Sequence, residues 1–424
     1  MTIEEFPTMR FGLLYQLQLP RPWDGDSEER LIREALEQIE LADRLGFDHA
    51  WATEHHFLEE YSHSSAPEVF LAAAAARTER IRLSHGIVTL SPAVNHPARV
   101  AERIATLDLI SGGRVDFGTG QGSSQMELDG FGVDRATKRD QWREAVGVVT
   151  RMLAEEPFTG HKGRWIDTPP RNVVPKPKQK PHPPLWVGCT ARPTIEAAAR
   201  AGLGALALSF STPEEAKEWV DLYYQVITSD DCVPAGLAVN PNFAVVLPLM
   251  CHHDADTAFD RGIDGAHFWS YCLMYYYFLG RHRPGGSDMW REFQENRARH
   301  GLSRDPAQEP PAPGTPQARL EEIASLRQGI GTPDQLADLV RRYEAAGVDQ
   351  IIFAAQLGRN RHDHVCESLR LFAEEVMPEF TARRAARDAE KNARLEGPVR
   401  RALARIPART TDIGDYAVGP EMAG

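Results

Sequence analysis

The sequence predicts a (β/α)8 barrel, a TIM barrel in the α/β class, with insertions after strands 4 and 7 and a C-terminal extension. Three observations carry this. Short β-branched or aromatic runs alternate with longer stretches of helical apolar spacing, as parallel βαβ units require. Eight such pairs follow in series, which suits a closed barrel better than an open sheet. The 424 residues also leave room for a barrel of about 250 residues together with insertions.

Residues Arg10–Tyr15 make the first predicted strand. From residue 28 to 45, Leu31, Ile32, Ala35, Leu36, Ile39, Ala42 and Leu45 recur at helical spacing, with Asp26 or Ser27 as cap and Gly46 as stop. Strand two covers 47–51 and leads through a polar, His-rich loop into an Ala-rich helix from 67 to about 77. Strand three covers 81–88. Pro97 then opens a helix whose core stripe is Val100, Ile104 and Leu107 and which stops at Gly112-Gly113. Strand four at 114–118, a helix at 139–153, strand five at 184–187, a helix at 195–201 and strand six at 204–208 continue the alternation.

Thr212-Pro213-Glu214-Glu215 and Thr332-Pro333-Asp334-Gln335 both set Thr at the cap, Pro at the first position and a carboxylate or amide at the third, which starts a helix. Strands seven and eight fall at 243–249 and 350–354, and the last helix, with Val365, Leu369, Phe372 and Val376, ends before Pro378. One barrel domain is expected over 1–380 and a separate basic tail over 381–424. Residues 159–183, rich in Pro and Lys, form the first insertion, and 265–331 the second. The second opens with Phe268, Trp269, Tyr271, Tyr275, Tyr276, Tyr277 and Phe278 and turns Pro-rich through 305–316. Such a segment either lines a hydrophobic pocket or forms a lid at the barrel mouth, or packs on the barrel wall or a dimer partner.

With 42% apolar and 25% charged residues the chain is globular rather than disordered. No apolar stretch approaches the ~20 residues of a membrane span and no signal core follows the first residues, so no membrane is expected and the location is read as cytoplasmic. Five scattered cysteines read as reduced thiols. A net charge of −12 argues against nucleic acid as a partner, although residues 382–409 hold nine basic and three acidic residues.

Barrel enzymes carry their reactive groups at the carboxyl ends of strands. After strand two stand Thr53, Glu54, His55 and His56, where a histidine can move a proton near neutral pH or hydrogen-bond a reactive oxygen species. A lone histidine there would read as structural; two beside a carboxylate favour a site, with Glu54 and His55 as the catalytic candidates and His56 open between site and scaffold. The spacing is wrong for a metal, and none is expected. After strand four, Gly118-Thr119-Gly120-Gln121-Gly122 lets a planar or phosphate-bearing ligand approach the backbone, although it is no dinucleotide fingerprint. After strand five, Gly188-Cys189-Thr190 precedes a helix with Arg192 and Thr194 near its start, where N–H groups and hydroxyls can hold a phosphate.

Several segments in order give the chain a resemblance to a known family: Met9-Arg10-Phe11-Gly12, Trp51-Ala52-Thr53-Glu54-His55-His56-Phe57, Asn95-His96-Pro97, Ser111-Gly112-Gly113-Arg114-Val115-Asp116-Phe117-Gly118, Gly130-Phe131-Gly132, Gly331-Thr332-Pro333 and Phe372-Ala373-Glu374-Glu375-Val376-Met377-Pro378. Over about 9–380 it resembles the bacterial luciferase-like flavin-dependent monooxygenases. The resemblance implies reduced FMN supplied by a separate flavin reductase, O2 as co-substrate, a flavin hydroperoxide, a small apolar organic substrate and a homodimer. It implies that His55 serves the flavin intermediate, that Arg139, Thr190 and Thr194 hold the phosphate, and that a non-prolyl cis peptide joins Ile87 to Val88 beneath the ring. Gly120 stands where light-emitting members have a cysteine, and Gln121 where they have a second phosphate arginine, so light emission is not implied. The alternatives are a deazaflavin-dependent hydride-transfer oxidoreductase and a non-catalytic flavin-binding protein.

Overall fold

Eight parallel strands close on themselves in the computed structural model, which describes residues 9–208, 212–279, 281–304, 328–408 and 412–419. They are β1 (Arg10–Tyr15), β2 (His49–Ala52), β3 (Arg82–His85 and, past a break, Val88–Thr89), β4 (Val115–Gly120), β5 (Leu185–Cys189), β6 (Gly204–Ala207), β7 (Phe243–Pro248) and β8 (Gln350–Ala354). Consecutive strands pair in parallel, and β1 pairs β8 in register Arg10↔Gln350, which shuts the ring as predicted. The continuous third strand expected over 81–88 is interrupted instead. Gly86–Ile87 is the non-prolyl cis peptide, one bond earlier than expected at Ile87–Val88.

Alternation along each strand divides the core. Phe11, Leu13 and Tyr15 of β1, Val245 of β7 and Ile351 and Phe353 of β8 face outward into the helices, whereas Leu14, Trp51, Trp186, Val246 and Ile352 fill the interior. Asp116 also faces inward. It accepts from Trp186 Nε1 at 3.2 Å and is paired with Arg82 and with His49 at 3.5 Å. Burial works against its charge, but Arg82 and His49 hold its carboxyl well below the usual carboxylate range.

Among the described residues the α-helices are α1 (Ser27–Leu45), α2 (Pro67–Ala75), α3 (Pro97–Ile110), α4 (Gln125–Gly130), α5 (Lys138–Ala154), α6 (Arg192–Arg200), α7 (Pro213–Ile227), α8 (Ala255–Met274), α9 (Met289–Asn296), α10 (Pro333–Ala345), α11 (His362–Glu375) and α12 (Met377–Leu403). Both predicted Thr-Pro starts form reciprocal caps, Thr212 with Glu215 on α7 and Thr332 with Gln335 on α10. Gly46 closes α1 in the left-handed conformation at φ 91°. The helix expected to end before Pro378 does so, as α11, and Pro378 sits in the first turn of α12, where its missing N–H costs nothing.

Helix α12 crosses the N-terminal end of the barrel. Arg384 donates to both Asp48 oxygens and to Met9 O, and Arg10 of β1 pairs with Asp388 at 2.8 Å. Lys391 is buried against Asp349 Oδ1 at 2.6 Å and Asn242 Oδ1 at 2.7 Å. The long second insertion lies at the opposite end. Phe268, Trp269, Tyr271, Tyr275 and Tyr276 join the cluster that fills the barrel interior. The Pro-rich stretch 305–316 and the side chain of Phe278 lie outside the described residues. No helix among them is long and apolar enough to cross a membrane.

Candidate active site

Strand β2 ends at Ala52, and the chain continues through Thr53 to His56 along the C-terminal rim, tied back by Thr53 N to Tyr15 O and by His55 N to Ser64 O. The two adjacent histidines meet two different carboxylates. His55 Nδ1 lies 3.1 Å from Glu127 Oε1, and the same oxygen accepts the backbone N–H of His56 at 2.9 Å. His56 Nε2 instead lies 3.0 Å from Glu54 Oε1. Both acids are buried.

Glu54 is fully occupied. Besides His56 it accepts Thr89 N at 2.8 Å and Asn95 Nδ2 at 2.7 Å, while Asn95 Oδ1 accepts from Arg103, itself paired with Glu68. Burial opposes a charge on His56, but its hydrogen bond to Glu54 and the charges of Glu54, Glu127 and Glu68 outweigh that, and its pKa is raised. The geometry therefore gives His56 and Glu54 to one network reaching back between α2 and α3. The ring of His55 stands apart from it, 5.2 Å from that of Tyr61, which in turn lies 6.1 Å from Tyr276 of the insertion.

The floor beside these groups is made by what three inward-facing glycines lack. A Cβ on Gly118 would stand 1.9 Å from His85 O, one on Gly120 would stand 2.5 Å from Ile87 Cδ1, and one on Gly188 would stand 3.5 Å from Ile87 Cγ2. Ile87 thus fills the hollow between β3, β4 and β5, and Val88, next to it, is paired with Thr119. Around this floor Thr53 Oγ1, Gln16 Oε1, Ser124 Oγ and Tyr276 OH are buried with no hydrogen-bond partner among the described residues.

The remaining sequence candidates lie on the rim. Gln121 is part-exposed, and Arg139, second residue of α5, is exposed and has no side-chain partner among the described residues. Thr194 Oγ1 accepts the N–H groups of Thr190 and Ala191 at 3.2 Å each and donates to Ala191 O at 2.6 Å, while Thr190 is exposed. Ile87, Val88, Gly120, Glu54 and His55 are thus linked around the mouth through β2, β3 and β4, with Arg139, Thr190 and Thr194 at the starts of α5 and α6.

Two residues escaped the sequence reading. Glu127 is 72 residues from His55, and only its place on a short helix after the glycine-rich turn pointed to it. Lys138 donates to Gly122 O at 2.6 Å, and burial, with Arg135 behind it, lowers its pKa. A Lys-Arg pair at a helix start opposes the helix dipole, and that misfit was the legible signal.

Two carboxylates holding neighbouring histidines thus stand beside an apolar floor around Ile87 and near the aromatic side chains of the second insertion. A family model described as luciferase-like monooxygenase matches residues 9–350. The 4-hydroxyprotoasukamycin monooxygenase of Streptomyces nodosus subsp. asukaensis is 29% identical over 81% of this chain and 86% of its own length. An uncharacterised protein of Sinorhizobium fredii is 33% identical over 42% of this chain, and the oxygenase component of the flavin-dependent trigonelline monooxygenase of Acinetobacter baylyi is 31% identical over 42%. The chain spans about half the length of these two relatives, 49% and 48%.

Among solved structures, monooxygenase RslO1 from Streptomyces bottropensis superposes with a TM-score of 0.68 at 26% identity, over 88% of this chain and 100% of that one. The oxygenating constituent of 3,6-diketocamphane monooxygenase from Pseudomonas putida, in complex with FMN, gives 0.66 at 20%, over 88% and 99%. The coenzyme F420 dependent tetrahydromethanopterin reductase from Methanopyrus kandleri gives 0.59 at 22%, over 88% and 99%. The last two likenesses are of fold.

Proposed function

The chain belongs to the luciferase-like monooxygenase family, and from that premise we propose that it is the oxygenase of a two-component, FMN-dependent system that oxygenates a small apolar organic substrate. Reduced FMN, delivered by a separate flavin reductase, supplies the electrons that activate O2; one oxygen atom enters the substrate and the other leaves as water. The observation that carries this reading is the floor that Gly118, Gly120 and Gly188 leave around Ile87, with Thr53 Oγ1, Ser124 Oγ and Tyr276 OH buried and without a hydrogen-bond partner among the described residues.

In this reading Ile87 and Val88 support the ring and Gly120 and Gln121 border it. Arg139, Thr190 and Thr194 hold the phosphate, where a guanidinium and amide N–H groups at helix starts favour an anion. His55 hydrogen-bonds the reacting oxygen, and the roof of Tyr61, Trp269 and Tyr276 excludes water and selects apolar substrates. The relative named as an oxygenase component supports the separate reductase. A homodimer and a cytoplasmic location complete the proposal.

Anaerobic titration with reduced FMN and, separately, a reduced deazaflavin tests the cofactor. Saturable FMN binding, weakened about 10- to 100-fold in Arg139→Ala, is expected for loss of one charge-assisted phosphate contact. Binding of the deazaflavin but not of FMN would replace the oxygenase reading with hydride transfer. Mixing the reduced-FMN complex with O2 tests His55: a near-ultraviolet transient is expected, shortened in His55→Ala, and an unchanged lifetime removes His55 from the chemistry.

A further inference from the structure

We infer that Glu127, and not the adjacent Glu54, is the positioning residue of His55, holding its ring proton on Nδ1 so that Nε2 is the atom offered to the reaction; this rests on the role proposed for His55.

The first argument is one of proton inventory. An ionised carboxylate only accepts, so the 3.1 Å contact between Glu127 Oε1 and His55 Nδ1 puts the proton on Nδ1. Nε2, at the other edge of the ring, has no partner among the described residues. His56 is held the opposite way, with Nε2 donating to Glu54 at 3.0 Å. The two neighbouring histidines thus present opposite ring nitrogens to two separate acids, and Nε2 is turned to its acid in His56 but not in His55.

The second argument is geometric. Glu127 Oε1 also accepts His56 N at 2.9 Å, so one atom of α4 grips both the ring of His55 and the peptide that follows it. Rotation of the ring and movement of its backbone are restrained together, from an element that follows β4 rather than from the loop itself. Glu54, two residues from His56 on that same loop, has its oxygens taken by Thr89 N, Asn95 and His56. The segment Tyr275–Leu279 of the insertion packs against α4, and burial and then the charge of Glu127 push the phenol of Tyr277 up. A pair of this kind sets tautomer and direction, and general acid–base groups lose much of their effect when either is wrong.

The test has one arm on the protein alone. In the ligand-free full chain, with ring nitrogens labelled, the two-bond proton–nitrogen spectrum of His55, assigned by its loss in His55→Asn, is expected to show Nδ1 protonated. Glu127→Gln, whose amide can turn an N–H toward the ring, shifts that population toward Nε2–H, and Glu54→Gln does not. An unchanged His55 pattern in Glu127→Gln overturns the inference.

The second arm uses the reduced-FMN complex mixed with O2. Glu127→Gln is expected to shorten the near-ultraviolet transient about tenfold or more, Glu127→Asp to restore part of it, and FMN affinity to stay within about twofold. In a His55→Ala background Glu127→Gln then adds nothing, and a further equal loss there overturns the inference. A full lifetime in His55→Ala would instead remove the role of His55, and the ring-proton spectrum still decides the role of Glu127.

Discussion

At the N-terminal end of the barrel the charges beside the strand starts meet partners on α12, whereas the C-terminal end sets a glycine-lined floor beneath the aromatic side chains of the insertion. Below, Asp48, Asp349 and Arg10 are answered by Arg384, Lys391 and Asp388 from a single helix. Above, Thr53 Oγ1, Ser124 Oγ and Tyr276 OH have no hydrogen-bond partner among the described residues, and a Cβ on Gly118 or Gly120 would collide with His85 O or with Ile87. Glycine in a strand forgoes side-chain packing and costs backbone entropy, so a cluster of three at one end fits a site better than a support. The lower end supports the fold, and the upper end is the one proposed to receive the ligand.

The largest effect that would sharpen this contrast lies below. Lys391→Met leaves Asp349 buried, with Tyr224 OH and Phe243 N as its remaining donors. Removing one partner of such a pair costs about 3–5 kcal/mol, and Lys391→Met/Asp349→Asn is expected to recover part of it. Urea unfolding measures both variants, with FMN affinity unchanged in whatever fraction stays folded. A loss below about 1 kcal/mol would mean that α12 only rests on the barrel.

A smaller effect is expected above. Gly118→Ala forces a Cβ against His85 O, a backbone atom that cannot swing aside, and overpacking of this kind costs about 1–3 kcal/mol. Here FMN affinity is expected to fall more than stability does. Gly120→Ala meets Cδ1 and Cγ1 of Ile87 rather than backbone, so Ile87→Ala is expected to rescue its stability. Equal losses of stability and affinity in Gly118→Ala would erase the functional difference between the ends.

What could be read in the sequence follows the range of the interactions. Strand and helix order, the Thr-Pro caps and the His55 loop are local patterns, and they lie where the periodicities of 2 and 3.6 and the capping residues put them. The break in β3 was hidden because residues 81–88 keep a strand-like apolar pattern, and only Gly86 hinted that the chain could turn there. The basic stretch after Pro378 was visible, but that Arg384, Lys391 and Leu395 share one helical face turned to the barrel floor depends on partners 42 to 336 residues away in sequence, such as Asp349 and Asp48. Glu127 was lost for the same reason. Glu54, beside His55 in sequence, meets His56 instead, and the acid in contact with the His55 ring is the more distant Glu127.

The smallest predicted effect tests whether His56 belongs with the supporting half of the upper cluster. Its pKa is raised above 6.5, despite burial, by the hydrogen bond and charge of Glu54. A group raised in the folded state contributes stability that is fully present below its unfolded value and is lost as pH rises through the folded one. His56→Gln should therefore cost up to about 1 kcal/mol near pH 6, as for an ion pair partly open to water, and less near pH 9. His85, buried behind it, runs the other way: burial pulls it down to about 4, so between roughly pH 6.5 and 4 the unfolded chain takes up a proton that the folded chain refuses, and stability falls on acidification. The two trends oppose each other in the wild-type protein, so the quantity to read is the wild-type minus His56→Gln difference from urea unfolding at the two pH values. A difference that grows with pH would detach His56 from Glu54 and return it to the reacting face beside His55.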